Sequence, residues 1–299
     1  MILAGGDGKR LLPLTRKITG DDTPKQFCAL DGGATLLDCT RQRVLRVVTK
    51  QNTLFLLTRT HERFYKPQLA GLPGSSLLVQ PHGNGTAPAI AYAVTRLSVG
   101  APDDIVGFFP SDHHFACEES FVASLDDAFG RAELDGERVV LLGIAPNSAE
   151  SSYGWIQPGA ELHRRGETPV FQVQRFWEKP CRDSAQRLLD AGCLWNSFVM
   201  VGRVSAFLNM LRRSLPDLVA AFESMWALVE PGKEHSALPE LFANIPATNF
   251  SDDVLSVCTS HLSVMAVRGT GWTDLGEPER ALSILPLQTI GTSGFVQGS

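Results

Sequence analysis

Short apolar runs alternate, through the first half of the chain, with longer stretches whose apolar positions recur at helical spacing. Residues 53–57, 76–80, 105–109 and 139–144 read as strands, and the last two are so uniformly apolar that both of their faces should be covered. Between them, residues 35–48, 61–69, 86–98 and 118–129 read as amphipathic helices, the third with an N-cap near Thr86. Residues 1–4 supply a first strand, shorter than the usual five or six residues, which raises the expectation of an upstream start or a trimmed N-terminus. Strands separated by helices need crossover connections. The pattern therefore predicts an α/β fold: a doubly wound, mostly parallel, Rossmann-like sheet flanked by helices.

Near residue 145 the pattern changes. Residues 153–177 are strand-like pieces broken by Pro158-Gly159 and by a polar stretch at 161–168, which predicts extra β-strands at one side of the sheet, where a second ligand is expected. A short helix at 183–191, a strand at 195–201, one or two helices at 204–229 split at Pro216, and a late strand at 262–267 follow. The segment Trp272-Thr273-Asp274-Leu275-Gly276 reads as a loop before a helix that starts near Pro278. Residues 1–285 are read as one domain, and residues 286–299, rich in Gly, Ser and Thr, as a loose C-terminal tail.

Composition narrows the classes. With 299 residues, 43% of them hydrophobic and 20% charged, the chain has ample material for a core. A net charge of -5 gives no basic field, so nucleic acid is not the expected partner. The six cysteines are scattered without a Cys-x-x-Cys pair, which argues against a zinc site and a secreted disulfide framework. No apolar run approaches the roughly 20 residues that span a bilayer, and the N-terminus lacks a signal-peptide pattern. A cytoplasmic protein with no membrane partner is expected.

Candidate chemistry concentrates in Leu3-Ala4-Gly5-Gly6-Asp7-Gly8-Lys9-Arg10, closed by Pro24-Lys25-Gln26-Phe27. Three glycines within four positions let backbone N–H groups approach an anion, and Arg10 and Lys25 flank the turn. The NTPase loop does not fit, since Gly8-Lys9 precedes Arg10 instead of Ser or Thr, nor does the dinucleotide-fold glycine spacing. Asp112 follows a strand in Pro110-Ser111-Asp112-His113-His114, and Asp274 follows another; two carboxylates on one face suit a hard cation. His113 and His114 lack a third ligand and read as structural. Glu178-Lys179-Pro180 reads either as an exposed ion pair or as a carboxylate for hydroxyls beside an ammonium for phosphate. Tyr153-Gly154 and Trp195-Asn196-Ser197 read as turns or as ligand contacts, and no Gly-x-Ser-x-Gly elbow occurs.

Taken together and in order, these segments, with Thr86-Ala87-Pro88-Ala89-Ile90-Ala91 and Trp272-Thr273-Asp274-Leu275-Gly276, resemble the sugar-1-phosphate nucleotidyltransferases, most of all the mannose-1-phosphate guanylyltransferases. The resemblance runs from residue 2 to about 285. It implies an enzyme that joins a nucleoside triphosphate, GTP first, to a hexose-1-phosphate, mannose-1-phosphate first, releasing pyrophosphate. It implies catalytic roles for Arg10, Lys25 and Asp112, nucleotide contacts at Ala4, Gly5, Gly6, Gly8, Asn84, Gly85 and Thr86, and sugar-phosphate contacts at Gly154, Glu178, Lys179 and Asn196. Asp112 and Asp274 would hold Mg²⁺, and a homodimer is an open option.

The chain also departs from that pattern. Asn84-Gly85 stands where Arg-Asn is usual, Phe198-Val199 where a Gly-Met-Phe-like continuation is usual, and 247–253 replaces a Ser-Ile-Asp-Tyr-like segment. Other nucleotide and sugar pairs, such as UTP or dTTP with glucose-1-phosphate, therefore stay open, as does a binding or regulatory protein that keeps the fold without the reaction. A glycosyltransferase of related architecture should carry Asp-x-Asp, which is absent.

Overall fold

The structure is a computed structural model and describes residues 1–30, 32–162, 168–229 and 233–283. The expected tail at 286–299 lies outside the described residues. The chain runs β1 (Ile2–Leu3), α1 (Leu12–Thr19), α2 (Leu36–Val44), β2 (Phe55–Thr58), α3 (Glu62–Gln68), β3 (Leu77–Gln80), α4 (Thr86–Ser98), β4 (Ile105–Pro110) and β5 (His113–Phe115). It continues through α5 (Glu118–Leu134), β6 (Val139–Ile144), β7 (Trp155–Glu161), β8 (Val170–Trp177), α6 (Arg182–Asp190), β9 (Leu194–Arg203), α7 (Val204–Ser214) and α8 (Pro216–Leu228). The last elements are α9 (Glu234–Asn244), β10 (Leu262–Val267), β11 (Trp272–Asp274) and α10 (Pro278–Ser283).

A nine-stranded sheet in the order β3-β2-β1-β4-β9-β6-β10-β8-β7 forms the centre, and β9 and β8 run against the other strands. Successive residues of its buried strands face opposite layers. Phe108 packs with α4, α7 and α8 residues such as Ile90, Phe207 and Phe222, whereas Phe109 packs with Leu125 and Ala128 of α5. Two covered faces explain why these strands read as unbroken apolar runs. Among the described residues no helix is long and apolar enough to cross a membrane.

The strand order reverses at β1: β2 and β3 lie on one side and β4 on the other. Ligands of open α/β sheets bind beyond the carboxyl ends of strands at such a point. Parallel pairing of Leu3 with Pro110 sets the glycine turn after β1 beside Ser111 and Asp112 after β4.

Several expectations need correction. The sequence reading has no helix at α1, which buries only Thr15 and so lacks the apolar periodicity that marks a helix, although Pro13 in its first turn and Gly20 at φ 77° just past its end are ordinary boundary signals. Residue 86 does not cap α4: the cap is Gly85 at φ 92°, and the Thr86 hydroxyl instead accepts from the Phe250 N–H at 2.8 Å. The segment read as a loop at 272–276 begins with β11, which pairs antiparallel with β5, and α9 is a helix that the sequence reading does not contain.

Candidate active site

The glycine turn is anchored through its carbonyls. Buried Gln26 donates Nε2 to the Ala4 carbonyl at 3.0 Å and to the Gly6 carbonyl at 2.8 Å. Thr58, ending β2, donates to the Gly5 carbonyl at 2.8 Å and accepts Nε2 of Gln80, ending β3, at 2.9 Å. Among the described residues no protein acceptor is found for the N–H groups of Gly5, Gly6 and Gly8, which leaves these donors able to meet an anion. A Cβ on Gly5 would sit 2.8 Å from Gln80 Nε2 and 2.9 Å from Thr58 Oγ1, so the close approach of three strand ends requires glycine there. Ala4 itself is buried and bonded to the sheet through the Leu56 carbonyl, which places it beneath the turn and not on the cavity wall.

Lys25 carries the charge at the bottom of the site. Its Nζ lies 2.5 Å from the Asp112 carboxylate and 3.8 Å from that of Asp274, and it also donates to the Leu275 carbonyl at 3.2 Å. The β5–β11 pair creates this cluster: His113 lies opposite Asp274 in the register, and the Leu275 N–H donates to the Asp112 carbonyl at 3.3 Å. Burial opposes the Lys25 charge, yet the pull of Asp112 and Asp274 outweighs it and holds the ammonium above its ordinary value. Asp112 shows the mirror effect: burial favours its neutral form, but Lys25 prevails and keeps the carboxyl below its ordinary value. Burial pushes His113 down, and its Nδ1 accepts from Trp272 Nε1 at 3.2 Å, so this histidine is a neutral brace of the β5–β11 pair. Arg280 donates Nε to the Asp274 carbonyl at 2.8 Å and lies over the Tyr153 ring, fixing Asp274 from outside. Arg10 points to Glu277, with which it forms an ion pair, while remaining close enough to disfavour the Lys25 charge.

Beside the cluster opens a cavity of about 370 Å³, walled by the glycine turn, Lys25, Gln80, Gly85-Thr86, Asp112 and Phe198. Asn84 is turned away from it: its amide donates to the Phe242 carbonyl at 2.7 Å and the Ile245 carbonyl at 3.1 Å, tying the loop to the end of α9. Gly85, at φ 92°, passes so close to the Thr248 carbonyl that any Cβ would collide with it. Gln80 is 3% exposed and its Oε1 has no partner among the described residues. Two carboxylates within reach of one ammonium, next to this open space, match the hard-oxygen set of a divalent cation that completes its shell with phosphates and water. Among the described residues no group of three or more His, Cys, Asp or Glu could hold a metal, which leaves the two-carboxylate arrangement as the candidate set.

A second group assembles across β7, β8 and β9. A Cβ on Gly154 would meet Glu178 Oε2 at 2.9 Å and Asn196 Cβ at 3.2 Å, so these three positions converge. The Asn196 N–H donates to the Gly154 carbonyl at 2.8 Å. Lys179, at φ 43°, folds its ammonium back onto Glu178 at 2.8 Å.

A family profile described as "Nucleotidyl transferase" matches residues 1–287. The chain belongs to this nucleotidyl transferase family. It is similar to the xanthan biosynthesis protein XanB of Xanthomonas campestris pv. campestris (strain B100), at 32% identity over 95% of this chain and 58% of that one. It is likewise similar to a mannose-1-phosphate guanylyltransferase of Escherichia coli (strain K12), at 30% identity over 92% of this chain and 57% of that one. The chain thus spans under three fifths of the length of these curated relatives. A solved structure from Thermus thermophilus, described as a mannose-1-phosphate geranyltransferase, superposes with a TM-score of 0.79 at 30% identity, covering 94% of this chain and 78% of that one.

Several residues that shape this nucleotidyl transferase site escape the sequence reading. Thr58 and Gln80 end strands β2 and β3 with ordinary polar residues, and only the pairing of those strands brings them to Gly5. Glu277, Tyr153 and Arg280 act across more than 100 residues, and only Tyr153, in the Tyr153-Gly154 pair, stands out in the sequence. The signal that could have found Gln80 is its position: a polar residue closing a buried strand on the side where the glycine turn emerges.

Proposed function

We propose that the chain joins a nucleoside triphosphate to a sugar-1-phosphate and releases pyrophosphate, with GTP and mannose-1-phosphate as the first pair to try. The observation that carries this is the Lys25–Asp112–Asp274 cluster at the edge of a cavity walled by the glycine turn. Two phosphate anions must be brought together, and repulsion between unit charges about 4 Å apart is roughly 4 kcal/mol at an effective dielectric near 20. Lys25, held charged by its carboxylate partners, neutralises phosphate where the two substrates meet. Arg10, once released from Glu277, adds a second cation at the outer edge. The free N–H groups of Gly5, Gly6 and Gly8 orient the triphosphate. Asp112 and Asp274 would hold Mg²⁺, which when bound neutralises phosphate charge. The sugar phosphate is already ionised and attacks the α-phosphorus in line, so no general base is needed. Gly154, Glu178 and Asn196 form the pocket we assign to the sugar, with Lys179 near its phosphate after leaving Glu178.

Gln80 supports a choice among bases. Gln80 lines the cavity, and with its Nε2 committed to Thr58 its remaining amide atom is the acceptor Oε1, buried in this arrangement and offered to a base once the side chain turns outward. An acceptor suits the ring N–H of guanine, uracil or thymine, whereas adenine and cytosine present acceptors at the corresponding ring nitrogens. Asn84, engaged by α9, reads no base in this arrangement, while Gly85 and Thr86 line the cavity. The test is pyrophosphate release from GTP, UTP, dTTP, CTP and ATP, each with mannose-1-phosphate, glucose-1-phosphate and fucose-1-phosphate, in Mg²⁺. Turnover with GTP and mannose-1-phosphate is expected, and silence with every pair would favour a binding protein.

A further inference from the structure

Phe198 combines three features that packing alone does not require. It is one of two described non-glycine residues with positive φ, at 58°, a conformation that strains a side-chain-bearing residue and that collects at functional sites. It sits in a bulge: Leu141 and Gly143 of β6 oppose Met200 and Asn196 of β9, so the β9 segment between is longer than its partner and bows out. Side chains fix the bow. Asn196 Oδ1 accepts the Phe198 N–H at 3.0 Å, and Ser197 donates to the Leu142 carbonyl at 2.6 Å while accepting the Val199 N–H at 3.2 Å.

The result is that the ring enters the cavity wall. Among the described residues Phe198 is the β9 residue of the cavity lining, and Asn196, two residues before it and bonded to its N–H, converges with Gly154 and Glu178. The ring packs edge-to-face on Phe250 at 6.3 Å, and the Phe250 N–H donates to Thr86 at the start of α4. Phe198 thereby lines the cavity with the glycine turn while its backbone is tied to Asn196, which faces Gly154.

We propose that Phe198 is a specificity-determining residue: its ring is the partition that limits the bulk of the sugar-1-phosphate admitted beside Asn196. This rests on the nucleotidyl-transfer reading above. The partition favours hexose-1-phosphates with small hydroxyl substituents over 2-acetamido sugars, whose extra amide and methyl need the space that the ring fills. The backbone strain is retained because relaxing it would withdraw the ring.

The experiment compares wild type, Phe198→Ala and Phe198→Gly by pyrophosphate release with mannose-1-phosphate and with N-acetylglucosamine-1-phosphate, alongside thermal melting. The ratio of kcat/KM for the acetamido sugar to that for the unsubstituted one is expected to rise about tenfold or more in both variants. Phe198→Gly is expected to melt above Phe198→Ala, since glycine alone relieves the positive φ. A ratio unchanged in both variants while wild type turns over overturns the proposal and leaves the general function standing. A wild-type chain that releases no pyrophosphate with any nucleotide and sugar pair overturns both.

Discussion

Burial disfavours the charged form of both Lys25 and His61, and their carboxylate partners decide the opposite outcomes. Lys25 has two carboxylates to offset its burial and stays charged. Replacing it with Met leaves Asp112 and Asp274 facing each other without the ammonium, so turnover should fall by about 10³-fold or more, roughly 4 kcal/mol of transition-state stabilisation. In Lys25→Met the Asp112 carboxyl should titrate higher than in wild type, because burial then acts unopposed, and a carboxyl-carbon NMR titration reads this directly. His61 is buried with its Nε2 3.4 Å from the Asp7 carboxylate and its Nδ1 without a partner among the described residues. Burial lowers its pKa despite the pull of Asp7. The unfolded chain therefore takes up the proton first as pH falls: the stability from neutral His61 is complete above about 6.5, the ordinary histidine value, and is lost as pH drops through the lowered folded value. Urea midpoints at about pH 7.5 and 5.5 should show this loss in wild type, and it should shrink in His61→Phe.

At the scale of elements, strands and glycines decide what the site can be. The strand end points were readable because both faces of β4 and β6 are covered, and α4 was readable because its alanine-rich face is buried over two turns or more. The β5–β11 pair was not, since each strand has three residues and neither alone has an alternating pattern. That pair nevertheless brings Asp274 to Asp112, so the candidate site was legible as a set of residues and not as a geometry. Gly85 was likewise visible in the sequence, but its reason was not: its positive φ and its approach to the Thr248 carbonyl exist only once the 247–250 segment has folded against α4. Gly85→Ala should destabilise the protein by about 1–3 kcal/mol through strain alone, with a lower melting temperature, and should weaken nucleotide binding by calorimetry. Gly5→Ala should likewise destabilise the protein, since its Cβ would press on Gln80 Nε2 and Thr58 Oγ1 and break the Gln80–Thr58–Gly5 hydrogen bonds that pin the turn.

For the whole molecule, the doubly wound order places two loops, one after β1 and one after β4, at the same reversal of the sheet. The fold class followed from alternating apolar runs, and the extra strands at one side of the sheet followed from the change of pattern near residue 145, whereas their antiparallel pairing did not. What pattern could not give were pairings between segments far apart in the chain, such as Arg10 with Glu277 and Asn84 with α9, because each partner is an ordinary polar residue until the fold brings it close. These two contacts alter the expected roles most, holding one cation out at the rim and turning one amide away from the cavity.

In the proposed reaction Asp112, paired with Lys25 and set beside Asp274, stands at the reactive end of the nucleotide cavity. Pyrophosphate release from GTP and mannose-1-phosphate in Mg²⁺, measured for wild type and for Asp112→Asn with melting temperatures matched within a few degrees, tests it most directly. Steady release by wild type and a loss of about 10³-fold or more in the variant are expected. Near-equal release by the two proteins would contradict it.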